Sequence, residues 1–159
     1  LTGADMNLIR SVKRPVKDVD YGFVGDVEKV NAELLADLIA KGVVPVLAPL
    51  THDGHGSMLN TNADTIAGET AKALSSFFDV TLIFCFEKRG VLMDENDDDS
   101  VIPSLTRSEY EAYVKKEIIK GGMLPKLENA FKVIEGGAKK VFITSASALS
   151  DPESGTVLQ

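Results

Sequence analysis

With 159 residues, 44% of them hydrophobic, the chain is long enough to bury a core of its own, and it reads as a single domain over 1–159. A net charge of −7 and a pI near 4.8 argue against nucleic acid and anionic membrane surfaces as partners. No apolar stretch reaches the length of a membrane span and no signal peptide precedes the first predicted helix, so a cytoplasmic protein is expected. The sequence begins with Leu1, not methionine, as a trimmed start or a piece of something longer would.

Asp26 is placed to cap a helix running to about residue 41, with Val27, Val30, Leu34, Leu38 and Ile39 at helical spacing and Gly42 as its stop. The apolar run Val43-Val44-Pro45-Val46-Leu47-Ala48 then reads as a strand covered on both faces, although Pro45 is awkward within it. Asp53-Gly54 and Gly56 predict a turn or small hairpin, flanked by His52 and His55, which read as plain solvent-exposed histidines. Asn62 is placed to cap a helix to about residue 74. Residues 80–86 predict a second buried strand, making the lone Cys85 a buried structural thiol that excludes an internal disulfide.

Glu95-Asn96-Asp97-Asp98-Asp99 reads as a solvated loop, lacking the glycine and glutamate of an EF-hand. Thr106 and Glu109 form a capping box opening a helix to about residue 120, and a further helix is expected over 125–135, ended by Gly136-Gly137. Residues 140–144 predict a third strand. This alternation predicts an α/β protein, a three-layer αβα sandwich around a mostly parallel sheet, with ligands beyond the carboxyl ends of the strands.

Two segments carry the chemistry. Leu59-Asn60-Thr61-Asn62-Ala63-Asp64 sets an amide and a carboxylate at a helix start; Gly121-Gly122-Met123-Leu124-Pro125-Lys126 sets open backbone and a lysine at another. The glycines permit close backbone approach, Pro125 suits a first helical turn, and a helix N-terminus with a nearby ammonium attracts phosphate. Plain capping, turn and surface roles remain open for each taken singly. Tyr21-Gly22-Phe23-Val24-Gly25-Asp26 is either turn chemistry or the floor of a site. A Walker phosphate loop, a dinucleotide glycine fingerprint and the protein-kinase catalytic loop are all missing from the sequence.

Together with Leu1-Thr2-Gly3-Ala4-Asp5, Gly22-Phe23-Val24-Gly25-Asp26-Val27 and Gly155-Thr156-Val157, these segments run in an order that is similar to the amino acid kinase family, within it to kinases of N-acylated glutamate. The resemblance implies a carbamate kinase-like fold and transfer of the γ-phosphoryl of ATP to the γ-carboxylate of N-acetyl-L-glutamate, as in arginine biosynthesis. N-Succinyl-L-glutamate is the alternative acceptor, and a non-catalytic binding or regulatory module of the same fold is the alternative of another class. By resemblance Asn60 binds the acceptor, Lys126 stabilises the moving phosphoryl, and Asp64 orients catalytic lysines. The nucleotide would lie over Glu87, Lys88, Arg89, Gly90, Val91 and Leu92 and beside Ile118, Ile119 and Lys120, with Mg2+ held mainly by its phosphates and no protein metal ligand. Phe86-Glu87-Lys88-Arg89-Gly90 departs from the Thr/Ser-Asp-Val that the family usually carries before the loop glycine. The family's first glycine loop and N-terminal lysine precede the segment that Leu1 matches. The chain would then be the nucleotide lobe with part of the acceptor site, inactive alone, and the whole protein a homodimer.

Overall fold

The computed structural model describes residues 1–151 and 154–159 and divides into two compact units, Leu1–Phe77 and Phe78–Gln159. Both are α/β, each built on a four-stranded mixed sheet.

In the first unit the sheet order is β2-β1-β3-β4, from β1 (Ile9–Lys13), β2 (Gly25–Val30), β3 (Leu50–His52) and β4 (Met58–Asn60). β1 runs antiparallel to β2 and parallel to β3, and β3 and β4 form the expected hairpin. Asp53 closes that turn by accepting from the N–H groups of His55 and Ser57, and these bonds hold its carboxyl below the ordinary aspartate range. Helices α1 (Ala32–Ala40) and α2 (Ala63–Leu74) complete the unit. Leu8, Ile9, Leu35 and Ile66 form its core, with Val27, Val30 and Leu34 packed against it.

Two expectations fail here. Residues 26–30 are strand, not helix: Asp26 pairs with Arg14 across the β1–β2 ladder at 2.6 Å, and Asn31 is the true cap, accepting from Leu34 N–H. Val27 and Val30 feed the core from a strand; a few apolar positions suit either period when a partner strand is available. Residues 43–48 are not strand. They run without a ladder, and Val44 is 85% exposed.

The second unit has the order β5-β7-β8-β6, from β5 (Thr81–Phe86), β6 (Ser104–Leu105), β7 (Lys140–Ser145) and β8 (Thr156–Leu158). β5 with β7 and β6 with β8 are parallel, whereas β7 and β8 are antiparallel. Helix α3 (Arg107–Lys115) opens on the Thr106–Glu109 capping box, both halves of which form. It stops short of residue 120 because Glu117 turns into the left-handed region at φ 58°. Helix α4 (Met123–Glu135) packs Leu127, Ala130, Phe131 and Val133 into a core with Val141, Phe142, Ile143 and Leu158. Strand β5 lies at the sheet's edge and buries only Phe84 fully, so Cys85 is exposed, not the buried thiol that its apolar neighbours suggest.

Candidate functional site

In the first unit the family-like segments converge. Asn60 N–H donates to Phe23 C=O at 2.8 Å, and Val24 bridges Asn60, so the glycine-containing stretch lies directly against the Asn60 strand. Only glycine fits at position 25, where a Cβ would sit 2.8 Å from that of Leu59. Gly3 N–H donates to Leu50 C=O, and Asp5 folds back onto the N–H and hydroxyl of Thr2, which hold its carboxyl below the usual range.

Beneath these segments, the buried hydroxyls of Thr51 and Thr61 meet at 2.9 Å and fix the chain between β4 and α2. Asn62 then caps α2, accepting from Thr65 N–H at 3.0 Å, which sets Asp64 in the first turn. Asn60 is exposed and Asp64 half-buried. His52 departs from the solvent-exposed reading: it is half-buried, its Nδ1 accepts from Gly54 N–H, and its buried Nε2 has no partner among the described residues, while His55 is exposed.

In the second unit a pocket opens between the loop after β5 and the connection from α3 to α4. Lys88, Gly90, Val91 and Leu92 form one wall; Ile118, Ile119 and Lys120 form the other, joined by Glu95 and Met123. The empty space, mouth included, is about 510 Å³. Its floor is aliphatic, Val91 and Ile119 being buried, and its rim carries the cations Lys88 and Lys120. Both cations are paired: Lys88 Nζ with Asp98 at 2.6 Å, which raises the lysine pKa, and Lys120 Nζ with Glu95 at 3.3 Å. The chemistry of such a space suits an aromatic ring below and anionic groups at the rim.

A second depression shares Lys88 and Met123 with the first and adds Cys85, Phe86, Glu87 and Lys126. The Lys126 ammonium lies 3.9 Å from the centroid of the Phe86 ring and, among the described residues, forms no ion pair. Among the described residues no side chain caps α4, and a Cβ at Gly121 or Gly122 would meet nothing within 4 Å. Met123, the first residue of α4, lines both depressions, and the Lys126 ammonium faces the second. Of the residues assigned to the nucleotide, Glu87 lies in the second depression and Arg89 lines neither.

The reading of the sequence missed Glu95, Met123 and the Phe86 ring beneath Lys126. Only the lysine–glutamate complementarity of Lys120 and Glu95 hinted at one of them, and the 24 residues between them hide it. Among the described residues no group of three or more His, Cys, Asp or Glu is placed to hold a metal ion, and no helix is long and apolar enough to cross a membrane.

The profile of the Amino acid kinase family matches residues 1–145. An acetylglutamate kinase of Bacteroides thetaiotaomicron is 75% identical over 153 residues, covering 96% of this chain and 60% of the relative. One from Phocaeicola vulgatus is 72% identical over the whole chain and 62% of its own length. The chain thus spans about 60% of the length of these relatives. Among solved structures, carbamate kinase from Giardia lamblia bound to AMP-PNP aligns with TM-score 0.66 at 17% identity, over 95% of this chain and 59% of that one, a likeness of fold.

Proposed function

We propose that this chain, which belongs to the amino acid kinase family, is the nucleotide-holding part of an acetylglutamate kinase, a phosphotransferase that moves the γ-phosphoryl of ATP to the γ-carboxylate of N-acetyl-L-glutamate. The names of its relatives at 72–75% identity support the reaction. The single observation that carries the nucleotide reading is the pair of joined depressions: an aliphatic slot with cations at its rim opens toward an ammonium that has no carboxylate partner.

In this reading the base lies between Val91 and Ile119, and the phosphates run toward Gly121, Gly122 and Lys126. Phosphoryl transfer gives a protein little covalent work; positioning and charge stabilisation do most of it. The acceptor carboxylate, with an ordinary pKa of about 4.3, is already ionised at neutral pH and needs no general base. Lys126 supplies a positive charge beside the transferring phosphoryl group and the leaving oxygen, on which negative charge grows between the ground state and the transition state. Asn60 holds the acceptor, and Asp64 orients ammonium groups; it takes no proton. The acetyl group on the acceptor's nitrogen keeps the activated γ-carboxyl from cyclising. Magnesium enters with the nucleotide, bound mainly through its phosphates, where it neutralises part of their charge.

The test has two arms. Calorimetry with Mg-AMP-PNP on the 159-residue chain should show one nucleotide site, and the chain alone should transfer no phosphoryl group. Completing it with the remaining part of the Bacteroides thetaiotaomicron relative should give a kinase that prefers N-acetyl-L-glutamate over N-succinyl-L-glutamate and unacylated glutamate. In that chimera Lys126→Met should lower kcat about a hundredfold or more while the fold persists. A chimera that folds but phosphorylates none of the three acceptors overturns the reading.

A further inference from the structure

The loop that forms one wall of the nucleotide pocket returns on itself. Ile102 N–H donates to Val91 C=O at 2.8 Å, Leu92 bridges Val101, and Met93 N–H donates to Ser100 C=O, so residues 91–102 leave and re-enter the fold at one point. At that point sits a side chain from elsewhere in the fold. The Thr156 hydroxyl, on β8 and fully buried, accepts from Val91 N–H at 2.8 Å and donates to Ile102 C=O at 2.7 Å. One oxygen therefore satisfies a donor at the start of the loop and an acceptor at its end. Beside it, a Cβ at Gly155 would lie 2.8 Å from the Arg89 carbonyl, so the residue before β8 lies close against the residue before Gly90. Thr156 itself does not line the pocket.

Strand propensity explains a β-branched residue here, and valine would meet it equally well. It does not explain a buried hydroxyl whose donor and acceptor capacities are both spent on the two ends of one loop. We infer that Thr156 is a positioning residue for nucleotide binding, its hydroxyl holding the 91–102 loop at the spacing from Ile118 and Ile119 that admits the base. This rests on the nucleotide reading of the pocket.

Thr156→Val keeps shape and removes the bridge; Thr156→Ser keeps the bridge. Thr156→Val removes both hydrogen bonds and should weaken Mg-AMP-PNP binding by about tenfold or more, whereas Thr156→Ser should stay within about twofold of wild type. Amide exchange should quicken at Val91 in the valine variant while Val141 and Ile143 of β7 keep their protection, which separates loop release from general loosening. Should Thr156→Val not fold, Thr156→Ala removes the same hydroxyl without setting a methyl among polar groups. Binding unchanged in the valine or alanine variant, or serine as impaired as valine, overturns the proposal. If the wild-type chain binds no nucleotide, the pocket reading falls and the binding role with it, while Val91 exchange alone still reports whether the hydroxyl ties the loop.

Discussion

Gly90→Ala is the most informative substitution, because it drives a methyl into the anchor of the 91–102 loop. A Cβ there would lie 2.7 Å from Thr156 Oγ1 and 2.8 Å from Val101 Cγ1. Ordinary contact begins near 3.4 Å, so the hydroxyl has to retreat by 3.4 − 2.7, about 0.7 Å. Val101 can rotate away; Thr156 cannot do so freely, since the same oxygen holds Val91 N–H and Ile102 C=O. Lengthening those bonds by that much takes both beyond useful geometry. Overpacking of this kind costs about 1–3 kcal/mol, and alanine recovers roughly 0.4–1 kcal/mol by stiffening the unfolded chain. The midpoints of these ranges leave a net loss of about 1.3 kcal/mol, which in a unit of this size lowers Tm by about 5–10 °C. Thermal melts and Mg-AMP-PNP calorimetry should show both effects together. The double variant with Thr156→Ala gives the clash room, so the two losses should sum to less than their separate values. A Gly90→Ala chain that melts at or above the wild-type temperature and binds nucleotide normally refutes the reasoning.

Three further outcomes follow from single residues. Cys85 is exposed on the edge strand, so one thiol per chain should react with a disulfide reagent without denaturant; labelling only after unfolding would show that the residue is covered. Thr106→Ala should remove about 0.5–2 kcal/mol by stripping the cap of α3, read in denaturant titrations, and a smaller loss would mean that Glu109 alone suffices. Glu109 is held below the ordinary glutamate range first by the Thr106 N–H and then by its hydroxyl. Its contribution is therefore present above the unfolded carboxyl pKa and lost as pH falls through the lower folded one. Carboxyl NMR should place the Glu109 midpoint below that of an exposed glutamate, and Thr106→Ala should raise it.

Features written in neighbouring residues were legible. Asn62, the Thr106–Glu109 box and the turn at Asp53-Gly54 each act within about four positions, and each appears where the sequence puts it. Features that need a distant partner were not. Residues 26–30 follow helical spacing but are claimed by β1, and residues 43–48 have a strand's composition without a strand beside them. The two walls of the pocket proposed for the nucleotide came from family resemblance, since nothing local joins Gly90 to Ile119. The Thr156 tie is 65 residues from Val91 and lies beyond any local pattern.

The stretch at 43–48 has a practical consequence for anyone handling this polypeptide. Val43, Val44 and Val46 stand exposed on main chain that joins no ladder, an apolar patch whose self-association rises with protein concentration. Pro45 acts as gatekeeper in the middle of it, because a ring nitrogen offers an incoming strand nothing to grip. Replacing that proline should raise the tendency of the chain to associate at high concentration, read by light scattering.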